Sequence, residues 1–196
     1  MDTTPHFNEA YWNRRYEQKQ TGWDIGYAST PLITFAESIQ KKDIKILIPG
    51  CGNAYEASRL YDLGFQEITL LDIAPALTKV LEERFADLPI QVITDDFFTH
   101  QGQYDLILEQ TFFCALDPAL RSAYVQKMYE LLRPGGLLAG LLFNRDFEGG
   151  PPFGGNENEY RMLLEPCFEI RKMEPCYNSI PPRAGTELFF IAIRRA

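Results

Sequence analysis

Short apolar runs alternate with helix-compatible stretches along most of the chain. Residues 46–49, 68–71, 90–93, 104–109 and 137–143 are apolar segments bounded by turn residues, the pattern of strands buried on both faces. Between them, residues 54–63 predict a helix that stops at Gly64, and residues 76–85 a second with Leu77, Val80, Leu81 and Phe85 on one face. Asp117-Pro118 offers an N-cap followed by proline at the first helical position. That helix runs to about residue 132 and ends in Arg133-Pro134-Gly135-Gly136. The strand at 137–143 feeds a glycine- and proline-rich loop, 144–155, after which Asn156 with Glu159 caps a short helix to residue 164. Residues 168–173 and 187–194 close the chain as strands that can pair antiparallel at a sheet edge.

This alternation predicts an α/β fold: a doubly wound, Rossmann-like, mostly parallel seven-stranded sheet with an antiparallel C-terminal edge strand. Residues 1–196 read as one domain with no internal repeat and no linker. The first 40 residues stand outside the alternation. Residues 8–20 can be helical, a turn-rich segment follows at 21–26, and both tryptophans, Trp12 and Trp23, fall here. By themselves they read as anchors that fasten the arm to the body, or as the roof of a site that must exclude water; packing alone favours the anchor.

The most telling junction follows the first strand. Ile46-Leu47-Ile48-Pro49 breaks into Gly50-Cys51-Gly52 and then into a helix, a cradle in which backbone can approach a ligand closely. About 20 residues on, a second apolar run ends in Asp72, where a ribose-binding carboxylate is expected. The dinucleotide fingerprint would place a third glycine where this chain has Tyr55, and no Gly-Lys-Ser/Thr phosphate loop occurs. An adenosine cofactor without a phosphate, S-adenosyl-L-methionine, suits this turn better than a nicotinamide or flavin dinucleotide.

Ligands of open α/β sheets bind at the carboxyl ends of the strands, which brings in Asp72, Ile73, Asp96, Phe97, Glu109 and Thr111. An acid followed by aromatics at 95–98 suits adenine, while Asp95 and Asp96 can equally start a loop with Phe97 and Phe98 in the core. After the fourth strand stands Glu109-Gln110-Thr111-Phe112, without the proline pair common in methyltransferases that act on amines of bases or on glutamine amides.

Composition narrows the partners. A net charge of −8 and no Lys/Arg block longer than two residues disfavour a nucleic-acid substrate and point to a small molecule. The four cysteines form no CxxC and have no histidine at ligand spacing, so no metal site is expected and reduced thiols in a cytoplasmic protein are. The N-terminus has no signal-peptide pattern, and no run is long enough to span a membrane. Neither His6 nor His100 has an obvious Ser or Cys partner, and no Gly-x-Ser-x-Gly elbow is present. Methyl transfer by in-line displacement needs neither.

Ordered along the chain, Trp23-Asp24-Ile25-Gly26 with Pro31-Leu32, Ile48-Pro49-Gly50-Cys51-Gly52, Asp96-Phe97-Phe98 and Thr111-Phe112-Phe113-Cys114-Ala115-Leu116 resemble the thiopurine S-methyltransferase-like family. So do Leu132-Arg133-Pro134-Gly135-Gly136, Gly149-Gly150-Pro151-Pro152-Phe153 and Ile180-Pro181-Pro182-Arg183-Ala184-Gly185, with the halide/thiol branch nearer. The resemblance implies an N-terminal helical lid carrying Trp12 and Trp23 over cofactor and acceptor, which reverses the anchor preference. It implies Gly50, Cys51 and Gly52 at the methionine moiety, Asp72 with Ile73 at the ribose, Asp96 and Phe97 at adenine, and Glu109 and Thr111 near the cofactor. Phe153 would sit by the transferred methyl, with Arg121 and Arg183 facing an electron-rich acceptor; Arg121 can equally be a surface residue of its helix. The chain departs from the family pattern at Glu109, where Asp is frequent, at Asn53 or Ala54, where glycine or a similar small residue is, and at Phe153, where the plant enzymes have Tyr. The expected enzyme is a monomer that methylates a thiol, hydrosulfide, thiocyanate or halide. An oxygen or nitrogen acceptor, or a cofactor-binding protein without turnover, are the alternatives.

Overall fold

The computed structural model describes residues 7–195, so the first six residues of the expected lid, with His6, lie outside the described part. All seven expected strands form: β1 (Lys45–Pro49), β2 (Glu67–Asp72), β3 (Ile90–Thr94), β4 (Tyr104–Gln110), β5 (Leu132–Phe143), β6 (Phe168–Pro175) and β7 (Glu187–Arg194). They make one sheet in the order β3-β2-β1-β4-β5-β7-β6, with β1 to β5 parallel and β7 antiparallel to both of its neighbours. The antiparallel end of the sheet is there, and its order has a physical reason. In β7, Leu188, Phe190 and Ala192 are buried in the core on one face while Phe189 and Ile191 pack against the core on the other, so this strand lies inside the sheet beside β5. In β6, Glu169, Arg171, Lys172 and Glu174 are charged, which suits the outermost position and discourages pairing with another sheet.

The helices are α1 (Glu9–Glu17), α2 (Thr30–Ser38), α3 (Tyr55–Asp62), α4 (Pro75–Arg84), α5 (Arg121–Leu131) and α6 (Glu157–Leu164). Asn8 caps α1 and Asn156 caps α6, each side chain accepting from the backbone N–H three residues on. A turn of 3-10 helix over Pro118–Leu120 precedes α5, its start capped by Asp117. The Arg-Pro-Gly-Gly stop ends α5, and the chain turns directly into extended structure at Leu132, with an irregular register against β4 before Leu137. Helix α2 is the element the pattern passed over. Its cue is Pro31 in the first turn, but the helix is short and holds mainly through Leu32 and Ala36, both fully buried.

Strand residues alternate between two apolar cores, one on each face of the sheet. Ile46, Ile48, Leu106, Leu108 and Ala139 pack with Leu60, Leu77 and Leu81 on one side. Leu47, Ile107 and Leu138 pack with Tyr124, Met128 and Phe168 on the other. That is why the strands read as continuous apolar runs. Truncating a central residue such as Leu47 to alanine would cost about 2–5 kcal/mol. Among the described residues no helix is long and apolar enough to cross a membrane.

Candidate active site

The chain leaves β1 towards β2 and β3, then returns to place β4 against the other side of β1. This reversal opens a crevice at the carboxyl ends of β1 and β4, the place where open α/β sheets take ligands. A cavity of about 960 Å³ lies there. It gathers Trp12, Trp23, Gly50, Cys51, Gly52, Asp72, Ile73, Asp96, Phe97, Thr111 and Arg183 from the expected set. Phe153, Arg121 and Glu109 are not on its wall.

The turn after β1 holds Gly50 at φ +56° and Gly52 at φ +52°, and Ala54 follows at φ +51°. The two glycines serve different ends. A Cβ on Gly50 would stand 2.3 Å from the Phe112 ring, so this glycine makes room for a neighbouring side chain. Gly52 faces the cavity, with only the Tyr16 hydroxyl near such an atom, at 3.7 Å, so here the backbone is left open to close approach. Thr111, at the end of β4, adopts φ +58°, a rare conformation for a β-branched residue and one that concentrates at binding sites.

Asp72 ends β2 and is buried, accepting from Gly52 N–H at 3.3 Å and Ala74 N–H at 3.0 Å. Loss of hydration outweighs these bonds and raises its carboxyl to about 6. A desolvated carboxylate with lone pairs to spare fits a vicinal diol. Gln110 adds a buried side-chain oxygen without a hydrogen-bond partner, on the cavity wall at the end of β4. Both observations match a ligand that carries hydroxyl and ammonium donors, as S-adenosylmethionine does. Asp96 caps its own turn by accepting from Phe98 N–H at 2.9 Å, and the buried Phe97 ring packs on Phe112, centroids 5.0 Å apart. The loop-start and adenine readings of this acid are thus compatible, since Asp96 makes that turn and still lines the cavity.

The lid is fastened by side chains that bond to backbone. Asn13 of α1 accepts from Ala76 N–H at 2.7 Å, satisfying an orphan donor in the first turn of α4. Glu56 accepts from Ser29 N–H at 2.8 Å, and Arg183 donates to the Trp23 carbonyl at 3.0 Å. Asp24 accepts from the Asn53 side chain and from the Tyr55 hydroxyl. Tyr55, which stands where a dinucleotide site needs glycine, therefore holds the lid down. Trp12 and Trp23 meet edge to face at 5.5 Å, so the anchoring and roofing readings of the two tryptophans are one arrangement. Tyr16 belongs to the same roof and escaped the sequence reading; its spacing of four from Trp12 puts both on one helix face. Burial pushes its phenol far above the usual value.

Three expected positions have other surroundings. Glu109 is fully buried beneath the cavity, accepting from Phe112 and Phe113 N–H at 2.9 Å each and from the Tyr124 hydroxyl at 2.6 Å. Desolvation raises it to about 7. Glutamate, one methylene longer than aspartate, reaches that hydroxyl from β4 while still bridging the turn. Arg121 is no surface residue and does not face the cavity: it is buried, paired with Glu159, bonded to the Gly154 carbonyl at 2.7 Å and stacked over Phe113. Phe153 packs edge to face on Phe7 at 5.7 Å and lies within the reach of a Cβ on Gly150, behind Pro151 and Pro152, which do line the cavity.

With this geometry in view, the comparisons are consistent. The model of the thiopurine S-methyltransferase family matches residues 7–188. A probable thiol methyltransferase 2 of Arabidopsis thaliana is 32% identical over 184 residues, covering 90% of this chain and 81% of that protein. Thiocyanate methyltransferase 1 of the same plant is 31% identical over 188 residues, covering 91% and 82%. Among solved structures, a Burkholderia thailandensis 1,6-didemethyltoxoflavin-N1-methyltransferase with bound S-adenosylhomocysteine superposes with a TM-score of 0.75 at 18% identity, over 96% of this chain and 87% of that one. The chain belongs to the thiopurine S-methyltransferase family of S-adenosylmethionine-dependent methyltransferases.

Proposed function

We propose that the acceptor is a small soft nucleophile: a thiol, hydrosulfide, thiocyanate or halide. One observation carries this reading. Every carboxylate on the cavity wall is already engaged: Asp24 with Asn53 and Tyr55, Glu56 with Ser29 N–H, Asp72 with Gly52 and Ala74, Asp95 with Thr99, Asp96 with Phe98 N–H, Asp117 with Ala119 N–H. His100 is bonded to the Tyr104 hydroxyl and is not on the wall. Asp72, whose raised carboxyl could take a proton, is committed to the ribose in this reading. The other wall carboxylates are tied to lid and turn, which favours an acceptor that arrives as an anion or a readily ionised thiol over hydroxyl or amine. The relatives named for thiol and thiocyanate methylation support this.

When bound, S-adenosylmethionine supplies an electrophilic methyl on a sulfonium. Asp72 would hold the ribose hydroxyls, Asp96 and Phe97 the adenine, and the Gly50-Cys51-Gly52 turn with Gln110 and Thr111 the methionine part. Trp12, Tyr16 and Trp23 keep water out, which leaves the acceptor anion poorly solvated and reactive. The acceptor thiol loses its proton to solvent. Its sulfur lone pair then forms the new S–CH3 bond, while the electrons of the breaking bond stay on the donor sulfur. Burial raises the thiols of Cys51 and of Cys114, the latter to about 12, so neither offers a thiolate and transfer is direct. In this reading the working unit is a cytoplasmic monomer with neither nucleic acid nor membrane as partner. The four free cysteines fit a reducing compartment, and the net charge of −8 disfavours nucleic acid.

The test offers labelled S-adenosylmethionine with iodide, thiocyanate, sulfide, aromatic thiols, and hydroxyl and amine analogues. Transfer to sulfur or halide acceptors is expected. Transfer only to oxygen or nitrogen would overturn the reading.

A further inference from the structure

The acceptor side of the cavity carries a cation with no protein counter-charge. Among the cavity's arginines, Arg183 pairs with the buried Glu187 at 3.6 Å, while Arg15, also without a carboxylate partner among the described residues, is half-buried in the roof with its guanidinium 5.4 Å from the Trp23 ring. Arg145 has no carboxylate within ion-pair distance among the described residues. Its guanidinium lies 4.6 Å from the Phe147 ring, exposed at the cavity wall. Phe147 meets Phe143 edge to face at 5.0 Å, and the Arg183 guanidinium sits 5.7 Å from the Phe143 ring. The sequence arginine, phenylalanine, phenylalanine, arginine thus runs along one wall, neutralised at the Arg183 end and unneutralised at the Arg145 end.

Arg145 is also held in place. Its carbonyl accepts from Gly155 N–H at 3.1 Å in an isolated bridge that closes the base of the 144–155 loop. A Cβ on Gly154 would stand 1.9 Å from that carbonyl oxygen, so the close approach depends on glycine. Asp146 and Glu148, the acids nearest in sequence, are not on the cavity wall.

Resting on the soft-nucleophile reading, we propose that Arg145 binds an anionic group borne by the acceptor, so that the preferred acceptors are organic thiols carrying a carboxylate. The apolar body would lie along Phe143 and Phe147, with the carboxylate on the guanidinium fork. A bare halide or hydrosulfide uses none of this wall. Bidentate arginine–carboxylate contacts are among the stronger polar interactions, and stacking on an aromatic ring pre-orients the fork.

The experiment compares meta-mercaptobenzoate with its uncharged counterpart, meta-methylthiophenol, in the wild type, Arg145→Gln and Arg145→Lys. The wild type should favour the carboxylate thiol by about ten-fold in kcat/KM, carried by KM, as a solvent-exposed charge-assisted contact allows. In Arg145→Gln the ratio should fall to about one, and Arg145→Lys should restore part of it. Equal kcat/KM for the two thiols in the wild type, or a preference that survives in Arg145→Gln, would overturn the assignment. Calorimetric titration of meta-mercaptobenzoate into the S-adenosylhomocysteine complex reads the same contact without turnover. Binding weakened by Arg145→Gln supports the proposal even if no thiol is methylated, and that failure would belong to the function alone. Binding indifferent to Arg145→Gln counts against it.

Discussion

The two halves of the cavity are built by different means. The half proposed for the donor comes from strand ends and the turns that leave them: Gly50 to Gly52 after β1, Asp72 at the end of β2, Thr111 after β4. Its geometry is fixed by hydrogen bonds short in sequence, such as Ala74 N–H to Asp72. The half proposed for the acceptor is assembled from the lid, the 144–155 loop and the turn around Arg183. Its key bond, Arg183 to the Trp23 carbonyl, spans 160 residues. The first half is rigid because the sheet beneath it is the core. The second is only as stable as a handful of side-chain contacts between loops, and such segments tolerate change more readily than strands do.

That contrast can be broken from the donor side first. Gly50→Ala combines positive φ with a collision against the Phe112 ring, and should cost about 3 kcal/mol of stability in denaturant unfolding. A variant as stable as the wild type would mean the turn is softer than the sheet that carries it. Next in size, Asp72→Ala should weaken S-adenosylhomocysteine binding about 100-fold by calorimetry, as expected for two hydrogen bonds to a charged acceptor. The wild-type affinity should fall as pH drops below about 6, where the raised Asp72 carboxyl takes up its proton and stops accepting from both hydroxyls. Affinity unchanged between pH 7 and 5 would remove the ribose from Asp72.

The smallest effect tests the acceptor side. Arg183→Met releases the Trp23 carbonyl and leaves Glu187 buried without its cation. S-adenosylhomocysteine affinity should fall about ten-fold through a loosened lid, and Arg183→Met with Glu187→Gln should recover thermal stability without recovering affinity. If the double variant regains both, Arg183 acts only as a partner for Glu187, and the lid is held by Asn13, Asp24 and Glu56 alone.

Legibility in the sequence followed the same division. The strands, Asn156 as a cap, Asp72 after its run and the glycine turn were readable because each depends on residues adjacent or nearly so. The resemblance assigned Trp12, Trp23 and Arg183 to cofactor or acceptor, and all three line the cavity. It assigned Arg121 and Phe153 to the acceptor and Glu109 to the cofactor, and these three are off the cavity wall with partners of their own: Glu159 and Gly154 for Arg121, the Phe112–Phe113 turn and Tyr124 for Glu109, Phe7 for Phe153. A side chain's direction depends on what lies across the cavity, and no local pattern carries that.

By itself, then, the sequence determined the layered sheet, the glycine turn after β1 and the acid that ends β2, since alternating apolar runs, glycine and a strand-end acid specify backbone. It also marked Tyr55 as an obstacle to a dinucleotide without showing that its hydroxyl reaches Asp24 in the lid. Only the tertiary structure decided that β7 lies inside β6, that Tyr16 joins the roof, and that Arg145 stands exposed on the cavity wall without a counter-charge among the described residues. Those depend on burial and on pairing between distant segments, where the free energy of one side chain is settled by another that folding alone brings near.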